Sequence, residues 1–203
     1  EGRYGLVNGK ELTLAALGSQ LNVTRERVRQ IQNLAAVELR ANRAKNGLGE
    51  FAQLVRAHLD AVGGVRTNDN LLVDLRALTD DHGDAKTINH RLSFLLEASD
   101  AATLDRPDKH CHAFWYLGVK ERGDAVHFID TFVKSLAGKK EAVLGENKFN
   151  ELFTEATTLC KCTELRAANL MTISKKFASN AYGEMGLTAW AEVNPKTARD
   201  WAY

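Results

Sequence analysis

The spacing of hydrophobic residues near the start of the chain predicts two short helices that meet at a tight corner. The first helix follows Thr13, a residue that can cap a helix, and its apolar positions are Leu14, Leu17 and Leu21. The corner is Asn22-Val23, where Asn tolerates a left-handed backbone and Val23 is expected to plug the corner from inside. The second helix has an apolar stripe that is expected to face the core, formed by Val28, Ile31, Ala35 and Leu39.

The polar positions of the second helix form an arc on the side away from that stripe. Thr24 is expected to cap the helix, and the arc consists of Arg25, Glu26, Arg29, Gln30 and Asn33. Arg can bond guanine twice, Gln can do the same to adenine, and Glu can accept from the cytosine amino group. This is the layout of a helix-turn-helix whose second helix reads bases in the DNA major groove. The competing interpretation is a helical hairpin whose Arg and Glu side chains are simply solvated.

Positive charge is concentrated in the same stretch. Residues 24–45 contain six basic and two acidic side chains and so carry about +4, whereas the whole chain carries +1. The remainder is therefore about −3, and any contact with a phosphate backbone is expected to be local. The basic residues are Arg25, Arg27, Arg29, Arg40, Arg43 and Lys45.

The sequence RYGL at Arg3–Leu6, followed by LTLAALGSQLNVTRERVRQIQ, resembles region 4 of bacterial sigma factors of the sigma-seventy family. The resemblance covers about residues 3–43. It implies that the second helix contacts the upstream promoter element and that other faces touch RNA polymerase. By this resemblance Arg25, Glu26, Arg29 and Gln30 are the base and backbone readers, and Thr24 contacts a phosphate. The sequence departs from the family at Leu34 and Glu38, where lysine is common.

The middle of the chain predicts three helices followed by a hairpin. Amphipathic patterns cover residues 50–62, the leucine-rich stretch after Thr67-Asn68, and residues 85–98. Two β-prone segments, 102–104 and 113–117, then flank a turn at Arg106-Pro107. This order is typical of a winged helix, so residues 47–122 are expected to form a winged-helix-like domain after a first domain at 1–46.

The last third repeats this order more weakly. Gly123 is expected to separate the middle domain from helices at 125–136 and 147–158, and from a longer helical pattern over Thr163 to Tyr182 that breaks near Met171. Residues 185–193 look extended, so 123–195 is expected to be a second helical, winged-helix-like module. A helix beginning near Pro195 would place the start of a truncated element at 196–203. The tail at 190–203 also resembles the entry to a HARE-type helix-turn-helix domain, which follows sigma region 4 in some bacterial proteins.

These patterns together predict a mainly α fold, with tandem helix-turn-helix and winged-helix-like modules that carry small β-hairpin wings. With 44% hydrophobic and 26% charged residues, the composition is ordinary for a globular chain. No apolar run approaches the roughly 20 residues that cross a membrane. The three cysteines do not form a disulfide framework, so reduced thiols and a cytoplasmic location are expected.

Several clusters invite a chemical role, and each has a plainer explanation. His110-Cys111-His112 and Cys160-Lys161-Cys162 contain zinc-ligand residue types, but both spacings are tighter than structural zinc sites use, so no metal is expected. Trp115 and Tyr116 are interpreted as lids on the core rather than as stacking platforms for nucleic acid. The pairs Lys139-Lys140 and Lys175-Lys176 are interpreted as solvated surface.

Enzymatic motifs are missing from the sequence. Neither a glycine-rich phosphate loop nor G-x-S-x-G occurs, and nothing marks Asp80, Asp81 and Asp84 as an acid–base pair. We therefore expect a non-enzymatic protein without cofactor, membrane partner or small-molecule substrate, which binds promoter DNA and contacts RNA polymerase core. Arg25, Arg29 and Gln30 would discriminate bases, while Arg27, Arg40, Arg43 and Lys45 would contact the backbone. The alternatives are a polymerase- or sigma-binding regulator without base reading, and an accessory domain of a nucleic-acid enzyme.

Overall fold

The computed structural model describes residues 1–79, 83–138 and 145–194. These residues are mainly helical and form small antiparallel sheets, which confirms the predicted fold class. In chain order the described elements are α1 Leu14–Leu21, α2 Arg25–Ala41, α3 Leu48–Ala61, β1 Val65–Thr67, α4 Asn68–Thr79, α5 Ala85–Ser99, β2 Thr103–Asp105, β3 Phe114–Tyr116, α6 Val119–Ala137, α7 Glu146–Leu159, α8 Glu164–Ile173, β4 Phe177–Ser179 and β5 Met185–Leu187.

The sheets are short and antiparallel. Strands β1, β3 and β2 lie side by side in that order, and Tyr116 of β3 faces Val65 on one side and Thr103 on the other. Strands β4 and β5 pair with Phe177 opposite Leu187. The predicted β2–β3 hairpin is confirmed to within a residue or two, whereas β1 was not predicted. Three residues are too few to show an alternating pattern, so this strand is defined only by its partner.

The chain divides into two compact units. The first unit is Glu1–His58 with Asp69–Ala102, and the second is Leu59–Asn68 with Thr103–Tyr203. Compactness and independent folding are different properties, so the three domains inferred from the sequence stay a prediction. The largest fully buried side chains of the first unit are Val55, Leu71, Leu75, Ile88 and Leu96, and those of the second include Phe128, Phe132, Leu136, Leu170 and Ile173.

Within the first unit, the segment before α1 packs on α5. The rings of Tyr4 and Phe94 are 4.8 Å apart between centroids, and Arg91 Nε donates to the carbonyl of Leu6 at 2.8 Å. Gly5 has φ +62°, and a Cβ at this position would lie 2.5 Å from His90 Nδ1. Only glycine therefore fits here without strain and without displacing His90.

Two features of the second unit correct the sequence interpretation. Gly123 does not separate two elements, because α6 runs through it from Val119 to Ala137. A mid-helix glycine costs about 1 kcal/mol, and the buried face of α6 with Phe128 and Phe132 offsets that cost. The helical pattern expected up to Tyr182 ends at Ile173, because Phe177 is buried in β4.

One more expectation is met only in part, and three others concern residues outside the described ranges. The extended stretch at 185–193 is a strand only over Met185–Leu187 and continues as turns. The predicted loop around Asp80 and Asp81, the pair Lys139-Lys140 and the helix from Pro195 are not among the described residues. Among the helices that are described, none has the length and apolar character needed to traverse a lipid bilayer.

Candidate nucleic-acid interface

The corner between α1 and α2 is built by local hydrogen bonds. Thr13 caps α1 by accepting from the Ala16 amide at 3.1 Å, and Asn22 takes the predicted left-handed conformation with φ 54°. The Val23 amide donates to the Gly18 carbonyl at 2.9 Å. The expected inward position of Val23 is wrong, since this side chain is 38% exposed. Gly18 is the buried residue, and a Cβ there would lie 2.7 Å from the Val23 carbonyl oxygen.

Thr24 begins α2 as predicted. Its Oγ1 accepts from the Arg27 amide at 3.1 Å, which satisfies one of the free amides of the first helical turn. Glu26 lies in that turn, where a negative charge interacts favourably with the helix dipole. The cap therefore fixes where the helix starts and which side chains occupy its first turn.

The inward face of α2 is rotated from the predicted one. Val28 is buried as expected, but Ile31 is 46% exposed and Ala35 is also exposed, so the predicted stripe is wrong at these two positions. Gln32 is half-buried instead, and its Nε2 donates to the Tyr4 hydroxyl at 2.6 Å. The helix is oriented by this polar contact with the N-terminal segment, which hydrophobic spacing alone does not reveal.

The polar arc of α2 is exposed and its side chains already interact with one another. Arg29 donates to both carboxylate oxygens of Glu26, at 2.7 and 2.9 Å, and Arg27 Nη1 donates to Gln30 Oε1 at 3.3 Å. The hydrogen bonds from Arg29 lower the pKa of Glu26, and the same bonds raise the pKa of Arg29. Exposed pairs of this kind contribute little to stability, so a new partner can replace either bond at small cost. All members of the arc are exposed, namely Arg25, Glu26, Arg29, Gln30 and Asn33, and so is the neighbouring Arg27.

Arg40 has an intramolecular position. Its Nε and Nη2 donate to the carbonyls of Ala98 and Glu97, each at 3.2 Å, and Nε lies 3.2 Å from an Asp100 carboxylate oxygen. These carbonyls belong to the C-terminal turn of α5, where a cation also complements the helix dipole. Arg40 thus joins the end of α2 to the end of α5, whereas Arg43 and Lys45 are exposed.

Residues of the other clusters identified in the sequence make contacts within the fold. Trp115 is 3% exposed and donates from Nε1 to Asn68 Oδ1 at 3.1 Å, which confirms its interpretation as part of the core. Cys111 forms a β-bridge with Ser174, and Lys176 pairs with Asp130 at 3.0 Å. Across residues 1–79, 83–138 and 145–194, no three His, Cys, Asp or Glu side chains are grouped so that they could hold a metal ion.

The sequence did not predict two residues that position α2 through tertiary contacts, Tyr4 and Gly18. Tyr4 lies in the RYGL motif and Gly18 in α1, and hydrophobic spacing assigns a role to neither. The signals that would have identified them were an aromatic residue next to Gly5 and a glycine in the middle of an otherwise good helix. Both residues act through tertiary contacts, namely Tyr4 with Phe94 and Gln32, and Gly18 with the corner.

Comparison with known proteins identifies a family that is similar to the segment containing this site. No solved structure matches the chain. The family model described as Sigma-70, region 4 matches residues 1–41, which include α1, the corner and α2. About a fifth of the chain is therefore similar to sigma-70 region 4, a DNA-binding helix-turn-helix of the kind found in transcription proteins.

Proposed function

We propose that this chain is a sequence-specific DNA-binding transcription protein that inserts α2 into the major groove of a promoter element. The observation that carries the proposal is the exposed arc at the start of α2. There Arg25, Glu26, Arg29 and Gln30 point away from the buried Val28. The N-terminal residues of a recognition helix are the ones that reach base edges in a helix-turn-helix.

Each side chain of the arc has a defined role in this proposal. Arg29 exchanges its Glu26 partner for the N7 and O6 acceptors of guanine, and Arg25 offers the same fork one turn earlier. Gln30 bonds adenine through its amide, and the carboxylate of Glu26, once released, accepts from cytosine. Asn33 extends the polar arc by another turn.

Affinity for the backbone comes from the flanking basic residues. Arg27, Arg43 and Lys45 are exposed and contact phosphates, and the Thr24 hydroxyl contacts a phosphate while it caps the helix. Arg40 is also proposed to contact a phosphate, but its guanidinium must first release the α5 carbonyls. We propose neither a catalytic step nor a cofactor, and a cytoplasmic location follows from the proposed function.

RNA polymerase core is the second proposed partner. The exposed apolar side chains of α1 and α2, such as Leu21 and Leu34 at 61% and 64% exposure, favour a protein contact beside the polar arc. The same observation supports the alternative function, a polymerase- or sigma-binding regulator that uses the helix pair without reading bases.

Salt titration separates the two functions. The full chain is bound to a duplex selected from a random library and to a scrambled duplex, each over a series of salt concentrations. Base reading predicts tighter binding to the selected duplex at every salt concentration, together with a salt-dependent component common to both. Equal affinity for the two duplexes, combined with retention of RNA polymerase core in a pull-down, would establish the alternative instead.

A further inference from the structure

A cleft of about 260 Å³ in the second unit is lined by more positive than negative side chains. The positive ones are Lys120, Lys161 and Arg166, the negative one is Asp124, and His127 lies beside them. Burial raises the pKa of the nearby Cys162 thiol, so this thiol is neutral near pH 7 and adds no negative charge. Cations around a concave surface create a local positive potential even though the chain is nearly neutral.

Three elements bring these side chains together. Lys120, Asp124 and His127 follow the four- and three-residue spacing of one face of α6. The corner between α7 and α8 supplies Lys161, and α8 supplies Arg166. The cleft is thus formed by residues far apart in sequence, so no sequence motif indicates it.

Lys161 has an unusual backbone conformation for its residue type. Its φ is 51°, in the left-handed region that Gly and Asn adopt far more readily than Lys. A long cationic side chain is present at a corner where glycine would be easier to accommodate. Such a departure from the locally preferred residue is a reason to look for a functional role.

The guanidinium of Arg166 is held in place, but not all of its hydrogen-bond donors have acceptors. Its Nη2 donates to Asp124 at 3.1 Å, and its stem packs so closely on Gly63 that a Cβ there would lie 2.7 Å from Arg166 Cβ. Its Nε is buried, and no acceptor for it exists in the described part of the chain. The side chain as a whole is 22% exposed where it lines the cleft, so an oxyanion there would meet a guanidinium that Asp124 already fixes in orientation.

We propose that this cleft binds a phosphate group, with Arg166 as a fixed donor and Lys120 and Lys161 as flexible cations at the rim. Two sources share this chemistry, the backbone of a nucleic acid and a free phosphorylated small molecule. The proposal goes beyond promoter reading by α2 and does not depend on it, because every residue of the cleft belongs to the second unit.

The test uses the full chain with Lys161→Gly, which removes the cation and also relieves the left-handed backbone. The variant is expected to melt at the same temperature as the parent or higher, so a loss of binding reflects the missing charge. Lys134→Gln is the matched control, since Lys134 is an exposed cation of α6 that does not line the cleft. The probes are inorganic pyrophosphate in calorimetry and a scrambled DNA duplex in a salt titration.

Lys161→Gly is expected to weaken at least one probe while Lys134→Gln weakens neither. If the duplex is the affected probe, the slope of log affinity against log salt falls by about 0.9 for the lost contact, and the source is a nucleic-acid backbone. Weaker pyrophosphate binding with unchanged duplex binding identifies a small-molecule source. The proposal is overturned if Lys161→Gly binds both probes like the parent, or if Lys134→Gln loses as much. Sequence preference is a separate readout, so failure of base reading by α2 would be recognised independently.

Discussion

Helices α2 and α5 of the first unit begin alike and end up in different surroundings. Each follows another helix and is capped by a side chain that accepts from an early backbone amide, Thr24 for α2 and Asp84 for α5. The N-terminal arc of α2 is open, whereas α5 is covered by the segment that contains Tyr4, Gly5 and Leu6. The position of a helix within a helix pair therefore does not decide whether its polar face is open. The tertiary contacts on its outer surface do.

The same comparison distinguishes the surroundings of two arginine side chains in this unit. Arg29 on α2 interacts with Glu26 of its own helix, and both side chains are more than half exposed. Arg91 on α5 instead donates to the carbonyl of Leu6 and so helps to hold the N-terminal segment. Under the proposed function Arg29 is available to DNA because its partner is an exposed neighbour, whereas Arg91 stabilises the contact between α5 and the N-terminal segment.

The largest effect is expected from a substitution that disrupts the packing of the N-terminal segment on α5. Gly5→Ala should destabilise the protein by about 2–4 kcal/mol, because it adds a left-handed penalty and a contact of 2.5 Å with His90 Nδ1. Gly47→Ala is the control, since Gly47 has φ +77° but no atom within 4 Å of the added Cβ. Urea unfolding should show a smaller loss for the control, and equal losses would mean that the His90 contact contributes nothing.

The second effect concerns DNA affinity and compares the two arginines directly. Arg29→Ala is expected to weaken binding to the best duplex by about 1–3 kcal/mol, because a base contact is lost. Arg91→Ala removes the same charge from α5 and should change affinity by less than about 0.5 kcal/mol. Anisotropy titrations of the two folded variants measure this difference. If the two variants lose affinity equally, α2 and α5 are not functionally different.

The third effect tests how the corner holds α2. Gly18→Ala should cost about 1–3 kcal/mol, because its Cβ would meet the Val23 carbonyl at 2.7 Å and the backbone there cannot move aside easily. Gly123→Ala in α6 makes the same change in open space and should stabilise by about 0.5–1 kcal/mol. Thermal melts that moved in the same direction for both variants would contradict the role of Gly18.

The smallest effect concerns the pairing of Glu26 with Arg29. The pKa of Glu26 is lowered in the folded state, so its contribution to stability is present above the ordinary glutamate pKa and is lost as the pH falls through the folded value. Glu26→Gln should therefore be slightly less stable than the parent at about pH 7 and should lose less stability between about pH 5 and about pH 3. Urea midpoints at these pH values test the sign, and parallel pH curves would show that the pair is not formed in solution.

The sequence predicted the parts of the site that depend on local interactions. The caps Thr13 and Thr24 and the left-handed Asn22 follow from neighbours in the chain, and all three are confirmed. The predicted exposure of the polar arc is confirmed as well, at Arg25, Glu26, Arg29, Gln30 and Asn33. The rotation of α2 about its axis was not predictable, because it depends on the Gln32–Tyr4 hydrogen bond across 28 residues. Strand β1 and the end of α8 were missed for the same reason, since each is determined by a strand that pairs from elsewhere.

The claim that α2 reads bases is tested most directly by Arg29→Lys, which keeps the charge but loses the two-pronged donor. The measurement is the base-preference profile of parent and variant, selected from one random duplex library, together with affinity for a scrambled duplex. The account predicts that affinity for the scrambled duplex is retained while preference is lost at one or two base pairs. An unchanged profile would contradict it, because Arg29 would then contribute only charge.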